Sequence, residues 1–138
     1  TPKPSSAASD VYKRQANNAD VTYGTIRFIE KDQDSFLAWA SESWVCIVCN
    51  LHVVQSEVGI EKVKKDFGNL LDRVIEFGGC FYLTYHKWIS KEQVEAAYPQ
   101  FREFLMLKQK YDPSEVFQSD WYRYFKDMYS DVAAKITN

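Results

Sequence analysis

No stretch of the 138-residue chain approaches the roughly 20 consecutive apolar residues that cross a bilayer, so no membrane-spanning helix is expected. Charge of one sign is missing too. Seventeen basic and nineteen acidic side chains, interspersed along the sequence, give a net charge of −2. Binding to DNA or RNA requires a basic stripe, so nucleic acid is excluded as a partner. Histidine is scarce: His52 and His86 share no H-x-x-x-H or H-E-x-x-H spacing and have no acidic cluster beside them, so no metal site is expected. Only three cysteines are present, an odd number. Cys46 and Cys49 form a C-x-x-C, the spacing of a redox pair or of half a zinc site. The run around them reads as a strand, however, in which residues three apart point to opposite faces. Buried free thiols in a reducing compartment are therefore expected, which places the chain in the cytoplasm and leaves membrane association open for the full-length protein.

What the sequence does have is apolar and aromatic content: 46% hydrophobic residues, with nine Tyr, nine Phe and four Trp. That is enough for one packed domain without disulfide staples. Each Tyr and Trp also carries a polar handle that needs a partner when buried. Residues 1–15, TPKPSSAASDVYKRQ, are an exception, being rich in Ser, Ala, Pro and charge and lacking periodicity. They resemble the translated adapter tails, ending in DVYKRQ, of reading frames from environmental assemblies. They are read as a non-native tail, which leaves residues 16–138 as the native portion.

From Val21 the pattern is regular. VTYGTIRFI reads as a strand with Tyr23, Thr25 and Arg27 on one face and Ile26 and Phe28 on the other. A second strand is expected over residues 44–53 and a third over residues 81–85, within CFYLTYHKW. Ile60, Val63, Phe67, Leu70, Leu71, Val74 and Ile75 fall at helical spacing, which predicts a helix over residues 60–77 ended by Gly78 and Gly79. Ser90 with Gln93 matches a capping box, Pro99 interrupts the helix it opens, and Asp112 with Pro113 stops the continuation. Ser119 or Asp120 caps a last helix, with Trp121, Tyr124, Phe125, Met128 and Val132 as its apolar stripe. The order is α+β, an antiparallel or mixed sheet of three strands with helices packed on one face. Its other face, aromatic and polar, is left for another domain or a ligand.

Four stretches carry a resemblance: YGTIRFIEKD, WVCIVCNLHV, FGGCFYLTYHKW and YPQFREFLMLKQKYDPSEVFQSDWYR. Together they resemble the C-terminal region of FAD-linked oxidases of the vanillyl-alcohol oxidase and p-cresol methylhydroxylase superfamily. The last stretch looks like the tail shared by aldonolactone and alditol oxidases and the decaprenylphosphoryl-ribose oxidase branch. The resemblance implies that the chain is the substrate-side part of a larger two-domain flavoprotein. Its FAD would be bound mainly by an N-terminal domain missing here, and its substrate would be an alcohol or sugar lactone oxidised by hydride transfer.

By the same resemblance Arg27 is a catalytic and flavin-facing residue, and Tyr82 lines the pocket and touches the cofactor. Tyr85 stands where relatives place Lys, a departure that puts the role of that Lys in doubt; His86 or Lys87 can supply the missing base or cation. Thr25, Asn50, His52 and Lys87 are further candidates for the pocket. Bland readings stand beside these: Arg27 as a surface residue paired with Glu30 or another acid, Tyr82 as a core tyrosine, and the polar strand residues as structural hydrogen-bonding groups. The competing reading of the whole is a non-catalytic α+β binding module that presents an aromatic sheet face to a protein or carbohydrate.

Overall fold

β-Branched and aromatic residues dominate Val21–Ile29 and Trp44–Leu51, which form strands β1 and β2 in the computed structural model. The structure describes residues 20–84 and 87–130. The strands pair antiparallel, from Val21 opposite Leu51 to Ile29 opposite Trp44, with an irregularity between Val21 and Tyr23. Among the described residues four helices follow: α1 (Glu57–Glu76), α2 (Lys91–Ala97), α3 (Phe101–Tyr111) and α4 (Asp120–Met128). The class is α+β, as the sequence pattern predicts. No helix among the described residues is long and apolar enough to cross a membrane.

The chain divides into two compact units, one comprising Thr1–Asp34 and Ala40–Asn69 and the other Ser35–Trp39 and Leu70–Asn138. In the first, the connection between the strands is tied by Asp32 N–H donating to Ala40 O at 2.9 Å. Asp34 N–H donates to Asp32 Oδ1 at 3.0 Å, a local side-chain turn. α1 starts three residues earlier than its apolar period predicts, because Ser56 caps it. The Ser56 hydroxyl accepts from Gly59 N–H at 3.1 Å and its carbonyl from Ile60 N–H at 2.8 Å. Gly59 is required there, since a Cβ would lie 2.2 Å from Val54 O. β1 stays open to solvent, with Tyr23 61%, Ile26 63% and Phe28 81% exposed.

The second unit begins with the last turns of α1. Gly78 sits at φ +71° and donates to Ile75 O, while Gly79 donates to Val74 O, the paired bonds of a left-handed helix stop. α2 opens on the expected capping box: Gln93 N–H donates to Ser90 Oγ at 3.2 Å, and Ser90 N–H to Gln93 Oε1 at 3.1 Å. Pro99 falls between α2 and α3, and Asp112 ends α3 by taking Val116 and Phe117 N–H on its carboxylate. Ser119 caps α4 through Tyr122 N–H at 3.1 Å.

The core of this unit is aromatic. Phe101 and Phe125 have no exposed surface, their ring centroids lie 5.0 Å apart, and Tyr129 lies 5.4 Å and Trp121 5.9 Å from Phe101. The buried stripe of α4 is Tyr122, Phe125 and Tyr129. It is rotated from the expected one, since Trp121, Tyr124 and Met128 are only half-buried. Val132 lies outside the described residues.

The expected third strand does not form over residues 81–84. The burial there does alternate, with Phe81 and Leu83 buried and Tyr82 and Thr84 exposed. What is missing is a partner strand, because side chains take the carbonyls instead. Tyr98 Oη donates to Phe81 O at 2.5 Å, Trp121 Nε1 to Leu83 O at 3.1 Å, and Tyr124 Oη to Lys87 O. Buried backbone acceptors must be satisfied by some donor, and here the helices provide it. Tyr85 and His86, the other part of that expectation, lie outside the described residues.

Candidate functional site

Directly opposed residues of an antiparallel pair share a face of the sheet. Tyr23 opposes Asn50, Thr25 opposes Val48, and Arg27 opposes Cys46, so these six line one face. The structure thus brings three candidates, Thr25, Arg27 and Asn50, onto a single surface. The other face is apolar, with Gly24, Ile26 and Phe28 opposite Cys49, Ile47 and Val45. Gly24 keeps the strands close, as a Cβ there would lie 3.2 Å from Val48 O.

Arg27 is exposed and, among the described residues, its guanidinium forms no ion pair with Glu30 or any other acid. Its cross-strand partner is Cys46. Burial pushes the Cys46 thiol up, opposed by the Arg27 guanidinium, so the thiol stays protonated. Cys46 and Cys49 form no disulfide and point to opposite faces, which removes the redox-pair reading of the C-x-x-C. No group of three His, Cys, Asp or Glu able to hold a metal occurs among the described residues.

His52 is engaged elsewhere. Its Nδ1 lies 2.8 Å from Asp20 Oδ2, and its N–H donates to Asp20 O at 2.8 Å, so backbone and ring are tied to one residue. With Lys62 and Asp66, themselves paired at 2.6 Å, it borders a shallow cleft.

Tyr82 and Lys87 belong to the second unit. Tyr82 is 45% exposed, so it is not a core tyrosine, and its ring meets Trp39 edge-on at 5.3 Å and 70°. The Trp39 carbonyl in turn accepts the Cys80 thiol. Lys87 is exposed, and its Nζ lies 5.7 Å from the centre of the Tyr124 ring. Tyr85 and His86 lie outside the described residues. The sequence reading passed over the contacts that Trp39, Trp121 and Tyr124 make with this stretch. For Trp121 and Tyr124 the signal was the polar handle of each ring, which gives no hint of its partner.

Gly78 and Gly79 close α1, and a helix C-terminus cannot cradle phosphate. No curated protein and no solved structure matches the chain. A family does: the sequence pattern of D-arabinono-1,4-lactone oxidase matches residues 27–125, which takes in Arg27, Asn50, Tyr82 and Lys87. The match covers well over half of the sequence, and the chain belongs to the D-arabinono-1,4-lactone oxidase family.

Proposed function

We propose that residues 16–138 are the C-terminal, substrate-side portion of an FAD-dependent oxidoreductase that oxidises the CH–OH group of an alcohol or sugar lactone. Residues 1–15 are a foreign tail in this reading, and the FAD phosphates and adenine are held by an N-terminal domain outside this chain. The observation that carries the reading is the family match over residues 27–125. The polar sheet face supports it, because an exposed cation with no acid partner, a hydroxyl and an amide fit the polar edge of a flavin ring and a hydroxylated substrate.

FAD, when bound, supplies the acceptor for the substrate hydride. Arg27 holds a positive charge where negative charge develops, and an electrostatic partner fixed before the reaction need not reorganise during it. Thr25 Oγ1 and the Asn50 amide orient substrate hydroxyls, each able both to donate and to accept. Tyr82 packs against the carbon skeleton, and Lys87 binds an oxygen of the substrate. The proton leaving the substrate hydroxyl is assigned to His86, an imidazole being a base suited to neutral pH, with Tyr85 as the other candidate of this stretch. The electrons leave carbon as hydride and the proton leaves oxygen, so the substrate becomes a carbonyl. The reading takes the cytoplasm as the enzyme's compartment, which cysteines outside any disulfide support.

The test is to express this chain in one reading frame with its upstream flavin domain and mix the yellow protein anaerobically with D-arabinono-1,4-lactone and with alditols. Bleaching of the flavin band by at least one of them is expected. A protein that carries flavin and is reduced by none of them would overturn the reading.

A further inference from the structure

Among the described residues no strand pairs with the stretch that bears Tyr82 and Lys87, yet its main chain is held at spaced points by aromatic side chains. Tyr98 Oη donates to Phe81 O at 2.5 Å, and Trp121 Nε1 donates to Leu83 O at 3.1 Å. Tyr124 Oη donates to Lys87 O, and Tyr129 Oη approaches Lys91 O at 3.5 Å. Two of these contacts repeat one pattern. Tyr124 takes the carbonyl of Lys87 and carries its Nζ 5.7 Å from the ring centre; Tyr129 takes the carbonyl of Lys91 and carries its Nζ 4.7 Å away.

The donors differ in their setting. Tyr98 and Tyr129 are buried core residues, so their loss would disturb packing as well as the main chain. Trp121 and Tyr124 are half-buried and flank the fully buried stripe of α4. Trp121 still touches the core, with its ring centroid 4.8 Å from Phe125, so it is anchored at one end and hydrogen-bonded at the other. Tyr124 likewise meets Phe125 edge-on at 5.2 Å. A tethered ring reaching a carbonyl sets the height and direction of the residue that owns it. For Lys87 the effect is double, because a long flexible side chain is also drawn over the ring face. Asp120, at the start of α4, adds its charge to the surroundings of Lys87, although its carboxylate is bonded to Arg123.

We propose that Trp121 and Tyr124 are positioning residues of the substrate site: from α4 they fix the carbonyls of Leu83 and Lys87 and so aim Tyr82 and the Lys87 ammonium. The inference rests on the proposed function, which supplies the substrate. Misplacement of a substrate-holding group by about an ångström is enough to slow a reaction severely, so a side chain remote from the chemistry can control its rate.

Tyr124→Phe and Trp121→Phe each remove one donor and keep an aromatic ring. In the flavoprotein, each is expected to lower kcat about tenfold with D-arabinono-1,4-lactone, the scale of one hydrogen bond lost in the transition state, while the protein stays folded at the assay temperature and its melting temperature falls only by the several degrees that one lost hydrogen bond costs. Tyr124→Leu, which also removes the ring under Lys87, is expected to cost more and to raise KM. Lys87→Met provides the decisive background: Tyr124→Leu added to it should cause little further loss, because its effect has already gone with Lys87. Full additivity of the two, or unchanged kcat in both Phe variants, would overturn the proposal while leaving the oxidase reading intact. Failure of the wild-type flavoprotein to oxidise any lactone or alditol would instead remove the reading, and the proposal with it.

Discussion

Replacing Phe101 by alanine is expected to destabilise the chain by about 3–5 kcal/mol, the range for deleting a fully buried aromatic side chain. Phe101 has no exposed surface and its ring lies within 6.0 Å of Phe104, Trp121, Phe125 and Tyr129. The loss therefore includes apolar burial and the edge and tilted ring contacts, and the cavity cannot collapse easily because its walls are themselves rigid rings on α3 and α4. Phe117→Ala serves as the comparison, since Phe117 is 78% exposed and its removal should stay within about 0.5 kcal/mol. Urea unfolding followed by tryptophan fluorescence measures both. Equal, small effects in the two variants would show that the aromatic cluster is not the core.

The second large effect concerns chemistry. In the flavoprotein, Arg27→Ala is expected to slow flavin reduction by about 10² to 10³, roughly 2.7 to 4 kcal/mol, with FAD retention little changed. Arg27 has no ion pair among the described residues, so its removal leaves no stranded carboxylate there to account for a loss of stability. It shares its sheet face with Thr25 and Asn50. An exposed arginine serving only the surface would contribute about 1 kcal/mol or less. Stopped-flow bleaching of the wild type, Arg27→Ala and Arg27→Lys separates the cases: recovery of part of the rate by Lys would assign the effect to charge, and equal rates in all three would return Arg27 to the surface.

Much of the fold was legible because its signals are local. The capping box at Ser90, the glycine stop at Gly78 and the Asp112 with Pro113 break each depend on a few neighbouring residues, and each occurs where expected. Segment 81–84 was not legible because strand content says nothing about whether a partner strand is present. The deciding interactions come from Tyr98, Trp121 and Tyr124, 17, 38 and 37 residues away from the carbonyls they bind. In α4 the rings are so dense that the sequence offers more than one apolar stripe, and packing selected Tyr122 and Tyr129 over Trp121 and Met128. The site divides in the same way. Alternation alone put Thr25 beside Arg27, whereas Asn50 joined them only through the pairing register of β1 with β2, which depends on both strands.

The carboxylates around the turn between α3 and α4 also make the stability of the second unit depend on pH. Asp112 is held below the usual carboxylate range first by its bond from Lys108 and then by Val116 and Phe117 N–H. Glu115, at φ +50°, is held down by Lys126 and then Tyr122, and Asp120 by Arg123. A carboxylate whose folded pKa is lowered stabilises the fold fully above its unfolded value, about 3.9 for Asp and 4.3 for Glu, and loses that contribution as pH falls through the folded value. Unfolding of this unit below about pH 4 therefore takes up protons at the turn between the two helices, and acid acts there as a denaturant by mass action.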